Sequence, residues 1–322
     1  MQQLFNGVFL LEGEVGGRPL QLIYLRGDLA SLLMDTGCAH DPSRFIVPQM
    51  RELDGDPSHL TWILNTHSDL DHIGGNHEMK QFAPRAVLAC GEADRHICES
   101  FETLMRYRYD LYRAEHQIFY EGEAVDWLRA NAGPPQCIEA TFRGNEHIRL
   151  GADWEVELLS VPGHSKGHLA VYDPLHTALY GADAIHGRGY PGLDGRMKLC
   201  PTYEDVDDYL ATIAMIENLP ITTYVGCHWP VKKGSGIRGF CVESRSFVEE
   251  TDRLLMELLR SPHSLRELCL AVGEKLGTYP RSADLDLVYA LAGHLRRLVE
   301  QGLVIASWRS GERRILEYAR LV

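Results

Sequence analysis

Short apolar runs of strand length, each closed by glycine or polar residues, recur along the first two thirds of the chain. Residues 8–15, 19–26 and 29–35 flank the glycine turns Gly16-Gly17 and Gly27-Asp28, a pattern that predicts three short strands. The run Leu60-Thr61-Trp62-Ile63-Leu64 predicts a buried strand over 60–66, followed by a helix over 74–82. A strand at 85–90 leads into a helix near 92–100, and strand-like runs return between Leu158 and Tyr190. Strands interleaved with helices argue for a layered α/β arrangement.

Residues 95–135 interrupt this alternation and read as a helical insertion. Its segment 101–112 has helical spacing with aromatics and arginines interleaved, and Phe119, Tyr120 and Trp127 follow. Such a segment packs its aromatics on a sheet or walls a pocket, where Arg106, Arg108 or a tyrosine would meet substrate. After Lys232-Lys233-Gly234-Ser235-Gly236, read as a solvated loop, the period becomes helical throughout. Helices are expected at 243–260, 264–276 and 284–301, the last with Leu287, Leu291, Leu295, Leu298 and Val299 on one stripe. A hairpin, Leu303–Trp308 and Arg314–Tyr318 around Ser310-Gly311-Glu312, completes a module that reads as winged-helix-like. The expected division is 1–240 and 241–322.

Composition narrows the class. Charged residues at 24% and apolar residues at 45% describe an ordinary globular chain, and no apolar run reaches membrane-spanning length. The start, Met1-Gln2-Gln3-Leu4, has no basic, apolar leader, so a cytoplasmic location is expected. The formal charge of −13 weighs against a polyanion partner for the whole molecule. Residues 261–322 carry 9 Lys/Arg against 7 Asp/Glu, a slight surplus. Arg296-Arg297 and Arg313-Arg314 there offer a route to phosphates, but a dimerising or pocket-closing role is expected first. The eight cysteines form no CxxC pair and read as reduced, with Cys227 as apolar filler beside His228.

The chemistry is concentrated in Asn65-Thr66-His67-Ser68-Asp69-Leu70-Asp71-His72-Ile73-Gly74-Gly75. Four metal-capable side chains, His67, Asp69, Asp71 and His72, fall within six positions directly after a buried strand. Three later islands repeat the design of a strand that ends on one such residue. They are Pro162-Gly163-His164, Tyr180-Gly181-Ala182-Asp183 and Val225-Gly226-Cys227-His228.

In order and spacing these islands, with Asp35-Thr36-Gly37 ahead of them, resemble the metallo-β-lactamase superfamily signature over roughly residues 1 to 240. The motif HxHxDH appears here as His67-x-Asp69-x-Asp71-His72, with Asp69 in place of the second histidine. The resemblance implies an αββα sandwich with metals at one edge between its sheets. It also implies two divalent ions, one on His67, Asp69 and His164 and one on Asp71, His72 and His228, with Asp183 bridging. Zinc is the first expectation, and the harder oxygen ligand Asp69 raises iron or manganese. Flavodiiron proteins carry a carboxylate at this motif position. The implied activity is hydrolysis by a metal-activated hydroxide, with Asp71 as proton shuttle and Asp35 steadying a ligand histidine. A small ester, thioester or lactone is the expected substrate. A di-iron oxidoreductase and a nucleic-acid phosphodiesterase are the alternatives. His168 reads as a structural histidine, and His40 and His186 as undecided rim residues. His77, His96, His116, His147, His176, His263 and His294 read as surface or helix residues.

Overall fold

A computed structural model describes residues 1–53, 55–309 and 315–321. Two sheets face each other. The first has seven strands in sequence order, from Gln2–Phe5 to Ala140–Phe142. The second has six: Lys232–Lys233, Thr223–Gly226, Ala178–Ala182, Leu169–Asp173, Glu155–Ser160 and His147–Arg149. Side-chain alternation divides the strands between layers. Val8, Leu10, Leu32, Met34 and Leu64 meet Val156, Leu158, Val171, Tyr180 and Val225 between the sheets. Phe9, Leu11, Leu33 and Ile63 face outward under helices. Both faces are covered, so the strands read as nearly continuous apolar runs. The result is the expected αββα sandwich.

Strand direction places the site. Ser31–Met34 pairs in parallel with Trp62–Asn65, and Ala178–Ala182 in parallel with Thr223–Gly226. Glu155–Ser160 runs the same way as Ala178–Ala182, because Leu169–Asp173 is antiparallel to both. The loops that carry Asp35, His67, His164, Asp183 and His228 therefore leave one edge of the sandwich.

Several elements differ from expectation for identifiable reasons. The helix expected at 243–260 spans Ser235–Leu258, so position 240 falls inside it. Ile237, Phe240 and Cys241 are buried, and that burial outweighs the poor helix propensity of Gly236 and Gly239. Lys232–Lys233 forms a short edge strand on Thr223–Gly226 rather than a free loop. The insertion is broken into short helices, among them Phe101–Leu104, Arg113–His116 and Glu123–Asn131. At Met105–Tyr109 it widens to a π-turn, with Asp110 N–H donating to the Met105 carbonyl. Such turns re-aim side chains. Here Arg108 is buried in the interior while its neighbours Arg106 and Tyr107 stay exposed.

The C-terminal region contains helices Leu265–Leu276 and Val288–Glu300 and the strands His263–Ser264, Val304–Arg309 and Ile315–Arg320. One buried cluster joins Leu268, Leu291 and Leu295 of this region to Phe240, Tyr209 and Tyr224 beside the second sheet. The expected turn Ser310-Gly311-Glu312 and Arg313-Arg314 lie outside the described residues. Among the described residues no helix is long and apolar enough to cross a membrane.

Candidate metal centre

The seven predicted ligands come together at the sandwich edge. Each of the four histidines has Nδ1 engaged and Nε2 turned toward the centre. His72 Nδ1 lies 2.8 Å from Asp35 Oδ2, and His164 Nδ1 lies 3.1 Å from the Thr202 carbonyl. His228 Nδ1 is 2.6 Å from the Pro19 carbonyl, and His67 Nδ1 is 3.0 Å from Thr66 Oγ1. Acceptors at Nδ1 fix the tautomer that leaves Nε2 with a lone pair for a metal. Asp35 sits at φ 66°, and it also accepts from the Thr66 N–H at 2.7 Å, so one carboxylate ties the first loop to the motif.

Backbone geometry holds these loops close. A side chain at Gly75 would meet the Thr36 carbonyl at 2.1 Å, so glycine lets the 35–37 turn lie on the motif helix. Gly163, at φ 127°, turns the chain so that His164 follows within a single tight bend.

Distances among the free ligand atoms suit metal binding. His228 Nε2 is 3.4 Å from Asp71 Oδ2 and 3.5 Å from Asp183 Oδ2, and His72 Nε2 is 3.9 Å from Asp183 Oδ1. On the other side, Asp69 Oδ2 lies 3.1 Å from His164 Nε2 and 3.7 Å from His67 Nε2. Ligands about 2.1 Å from a tetrahedral ion stand about 3.4 Å apart. His67 Nε2, His72 Nε2, Asp71 Oδ2 and Asp183 Oδ1 are buried without a hydrogen-bond partner among the described residues. Orphaned polar atoms of this kind are costly unless something binds them. The residues therefore fit divalent ions at both expected positions.

Electrostatics separates the two histidines of the motif. Burial together with neighbouring His72 and His164 holds the His67 pKa well below the ordinary histidine range. Burial also opposes charge on His72, but Asp35 outweighs it and lifts that pKa well above the range, so a metal would have to displace a proton from its Nε2. Burial works against the Asp71 charge too, yet His228, His72 and Arg18 keep its carboxyl well below the usual range.

Asp69 has a partner the sequence did not announce. Arg108 donates from Nε to Asp69 Oδ1 at 2.7 Å and from Nη2 to Oδ2 at 3.1 Å. Cys227 is also more than filler by position, because its thiol lies within 4.8 Å of the ligand atoms of His72, Asp183 and His228. Burial pushes that thiol up to about 12, so it stays protonated. His168 lies stacked on His67 with ring centroids 4.6 Å apart. His186 is not at the rim: it is buried against His164, with Nδ1 3.2 Å from the Tyr209 hydroxyl. His40 is exposed beside Glu78. His116 and His294 lie in helices as one of the two expected readings had it, but both are buried, and His294 is held between Tyr203 and Asp252.

A pocket of about 430 Å³ opens over the ligands. Four parts of the chain wall it: Arg18 from the Val8–Val15/Arg18–Arg26 hairpin, Tyr120 and Trp127 from the insertion, Tyr190 and Lys198 from the segment after Asp183, and Asp286 and Tyr289 from the C-terminal region. Tyr120 donates its hydroxyl to Asp286 at 2.8 Å. Arg18 sits over the Tyr190 ring, 3.6 Å from Asp71 Oδ2. Lys198 reaches the same pocket, whereas Lys232 instead covers Phe240. Arg296 and Arg297 are taken up by Asp205, Asp207 and Asp252, which leaves them poorly disposed toward phosphates.

A family model described as the metallo-beta-lactamase superfamily matches residues 16–228. A hydroxyacylglutathione hydrolase from Synechococcus sp. is 27% identical over 217 residues, 65% of this chain and 66% of that one. Glyoxylase B2 of Dictyostelium discoideum is 29% identical over 111 residues, 34% of this chain and 31% of that one. The match thus spans about a third to two thirds of these curated relatives. Among solved structures, a metallo-beta-lactamase family protein of Thermus thermophilus superposes with a TM-score of 0.74. It is 22% identical and covers 99% of this chain and 100% of that one. A beta-lactamase domain protein of Burkholderia ambifaria gives 0.73 at 17% identity, covering 99% and 93%.

Proposed function

Because the chain belongs to the metallo-β-lactamase superfamily, we propose that it is a metal-dependent hydrolase of a small ester, thioester or lactone. The observation that carries this is the convergence of four Nδ1-anchored imidazoles and three carboxylates under an aromatic-walled pocket. Two divalent ions held there, zinc first and iron or manganese second, would supply a nucleophilic hydroxide at neutral pH and polarise the scissile carbonyl.

The chain's own groups complete the reaction. His67, Asp69 and His164 would hold one ion, and Asp71, His72 and His228 the other, with Asp183 between them. Asp71 also lines the pocket, which would place it to pass a proton to the leaving group. Arg18, beside Asp71 and on the pocket wall, would anchor a carboxylate of the substrate. The aromatic rings of Tyr120, Trp127 and Tyr289 would exclude water from the acyl group. The hydroxyacylglutathione hydrolase relatives support a thioester in particular.

The test is elemental analysis of the purified protein beside a substrate panel of thioesters, lactones, β-lactams and phosphodiesters. Bound divalent metal with turnover of an acyl substrate is the expected result, with Arg18→Gln raising KM for carboxylate-bearing substrates. Iron with oxygen or peroxide turnover and no hydrolysis would overturn the reading, as would turnover confined to phosphodiesters.

A further inference from the structure

The two expected metal positions are not electrically alike. Around His72 and His228, the Asp71 and Asp183 carboxylates each keep an oxygen without a hydrogen-bond partner among the described residues. The nearest arginine there is Arg18, at 3.6 Å from Asp71 Oδ2, beyond hydrogen-bonding distance. The other position groups His67, His164 and one carboxylate of its own, Asp69, beside the Asp183 that the two positions would share. Both oxygens of Asp69 already accept from the Arg108 guanidinium, at 2.7 and 3.1 Å. Such a fork on a carboxylate is among the stronger polar pairings a protein makes, and arginine does not lose its proton to relieve it.

Arg108 is also fixed from behind. It is 2% exposed, and Nη1 donates to Glu204 and to the His164 carbonyl at 3.2 Å. Its guanidinium lies over the Tyr289 ring at 4.7 Å. Swinging away from Asp69 would forfeit contacts to three separate parts of the chain. While it stays, each Asp69 oxygen has given one lone pair to the guanidinium, and Oδ2, the oxygen that faces His67 and His164, meets an incoming ion with a fixed positive charge bonded to it.

We propose that Arg108 is a positioning residue that makes the His67–Asp69–His164 position the weaker of the two, by competing with a divalent ion for Asp69. The pair Asp69–Arg108 then stands, in net charge, where a neutral imidazole would. This rests on the metal-site reading above and adds an order of filling to it: the His72–His228 position first, the Asp69 position second. The insertion, through one arginine, thereby sets the metal content of the catalytic edge.

The decisive experiment is a zinc titration of the metal-free full chain against a chromogenic chelator, with native mass spectrometry to count ions. The wild type is expected to bind one ion tightly and a second at least tenfold more weakly. Arg108→Gln should tighten the second ion at least tenfold while leaving the first within about threefold, a selectivity that a merely structural loss would not produce. Asp69→His, which removes the forked partner, should narrow the gap as well. Two wild-type ions within threefold of each other would overturn the proposal without any variant, as would an Arg108→Gln second ion no tighter than the wild type's. Failure to bind zinc at all would overturn the metal-site reading itself, and the proposal with it.

Discussion

Asp35 shows how one residue outside the motif conditions the centre. Its carboxylate fixes His72 through Nδ1 and the motif backbone through Thr66, from a left-handed backbone position. Asparagine tolerates that conformation, so Asp35→Asn tests the carboxylate without disturbing the turn. Metal affinity should fall by about 10- to 100-fold, as for other residues that orient ligand histidines, measured by chelator competition. An unchanged affinity would show that the Thr66 and loop contacts suffice. The candidate ligands were legible as a group because metal-capable side chains crowd six positions after a buried strand and recur at later strand ends. Arg18, Tyr190 and Asp286 were not, and Arg108 was legible only as one of two candidate pocket arginines, without its bond to Asp69. Arg108 lies 39 residues beyond Asp69, and it is the buried residue of the π-turn at Met105–Tyr109. No local pattern distinguishes it from the exposed Arg106 two positions earlier. His186 carried a weak signal, three residues after Asp183, which its burial now explains.

At the scale of elements, the insertion and the C-terminal region meet across the pocket at Tyr120 and Asp286. Burial pushes the Asp286 carboxyl up to about 6 from 3.8, with the Tyr120 bond and Arg18 opposing. The folded chain therefore keeps a proton there that the unfolded chain releases at lower pH. The stability this group contributes is full below about pH 4 and is lost as pH rises through about 6. A gap of that size corresponds to at most about 3 kcal/mol. Asp286→Asn cannot ionise but still accepts from Tyr120. It should be more stable than the wild type by about 1–3 kcal/mol at pH 8, with the advantage gone by pH 4, as read from urea denaturation at the two values. An advantage independent of pH would rule out ionisation as its origin. Pocket-facing roles for both regions were expected from the sequence, but this contact between them was not, because its two residues lie 166 positions apart. The strands and the helices from 264 onward were legible from periodicity. The start of the long helix was not, because burial of Ile237 and Phe240 carries it through Gly236 and Gly239.

Across the whole molecule, the same cluster of buried side chains covers the outer face of the second sheet and packs the terminal helices. We propose on this ground that the regions before and after residue 240 unfold together. Trp229 reports from the sheet side of that cluster and Trp308 from the terminal strand, so tryptophan fluorescence and far-UV circular dichroism should give one superimposable transition. Two separated transitions would show the terminal region to be an independent unit. A bound metal would belong to the same cooperative system, because its candidate ligands leave both sheets and their unpaired polar atoms sit at the junction of the layers. An ion present at a thousandfold excess over its Kd adds about 4 kcal/mol to the folded state. Chelation should therefore move the entire single transition to lower denaturant, by about that free energy, and not merely loosen the site loops. If chelation changed only local hydrogen exchange near residues 65–75 and left the midpoint in place, the centre would be grafted on a sandwich that is stable without it.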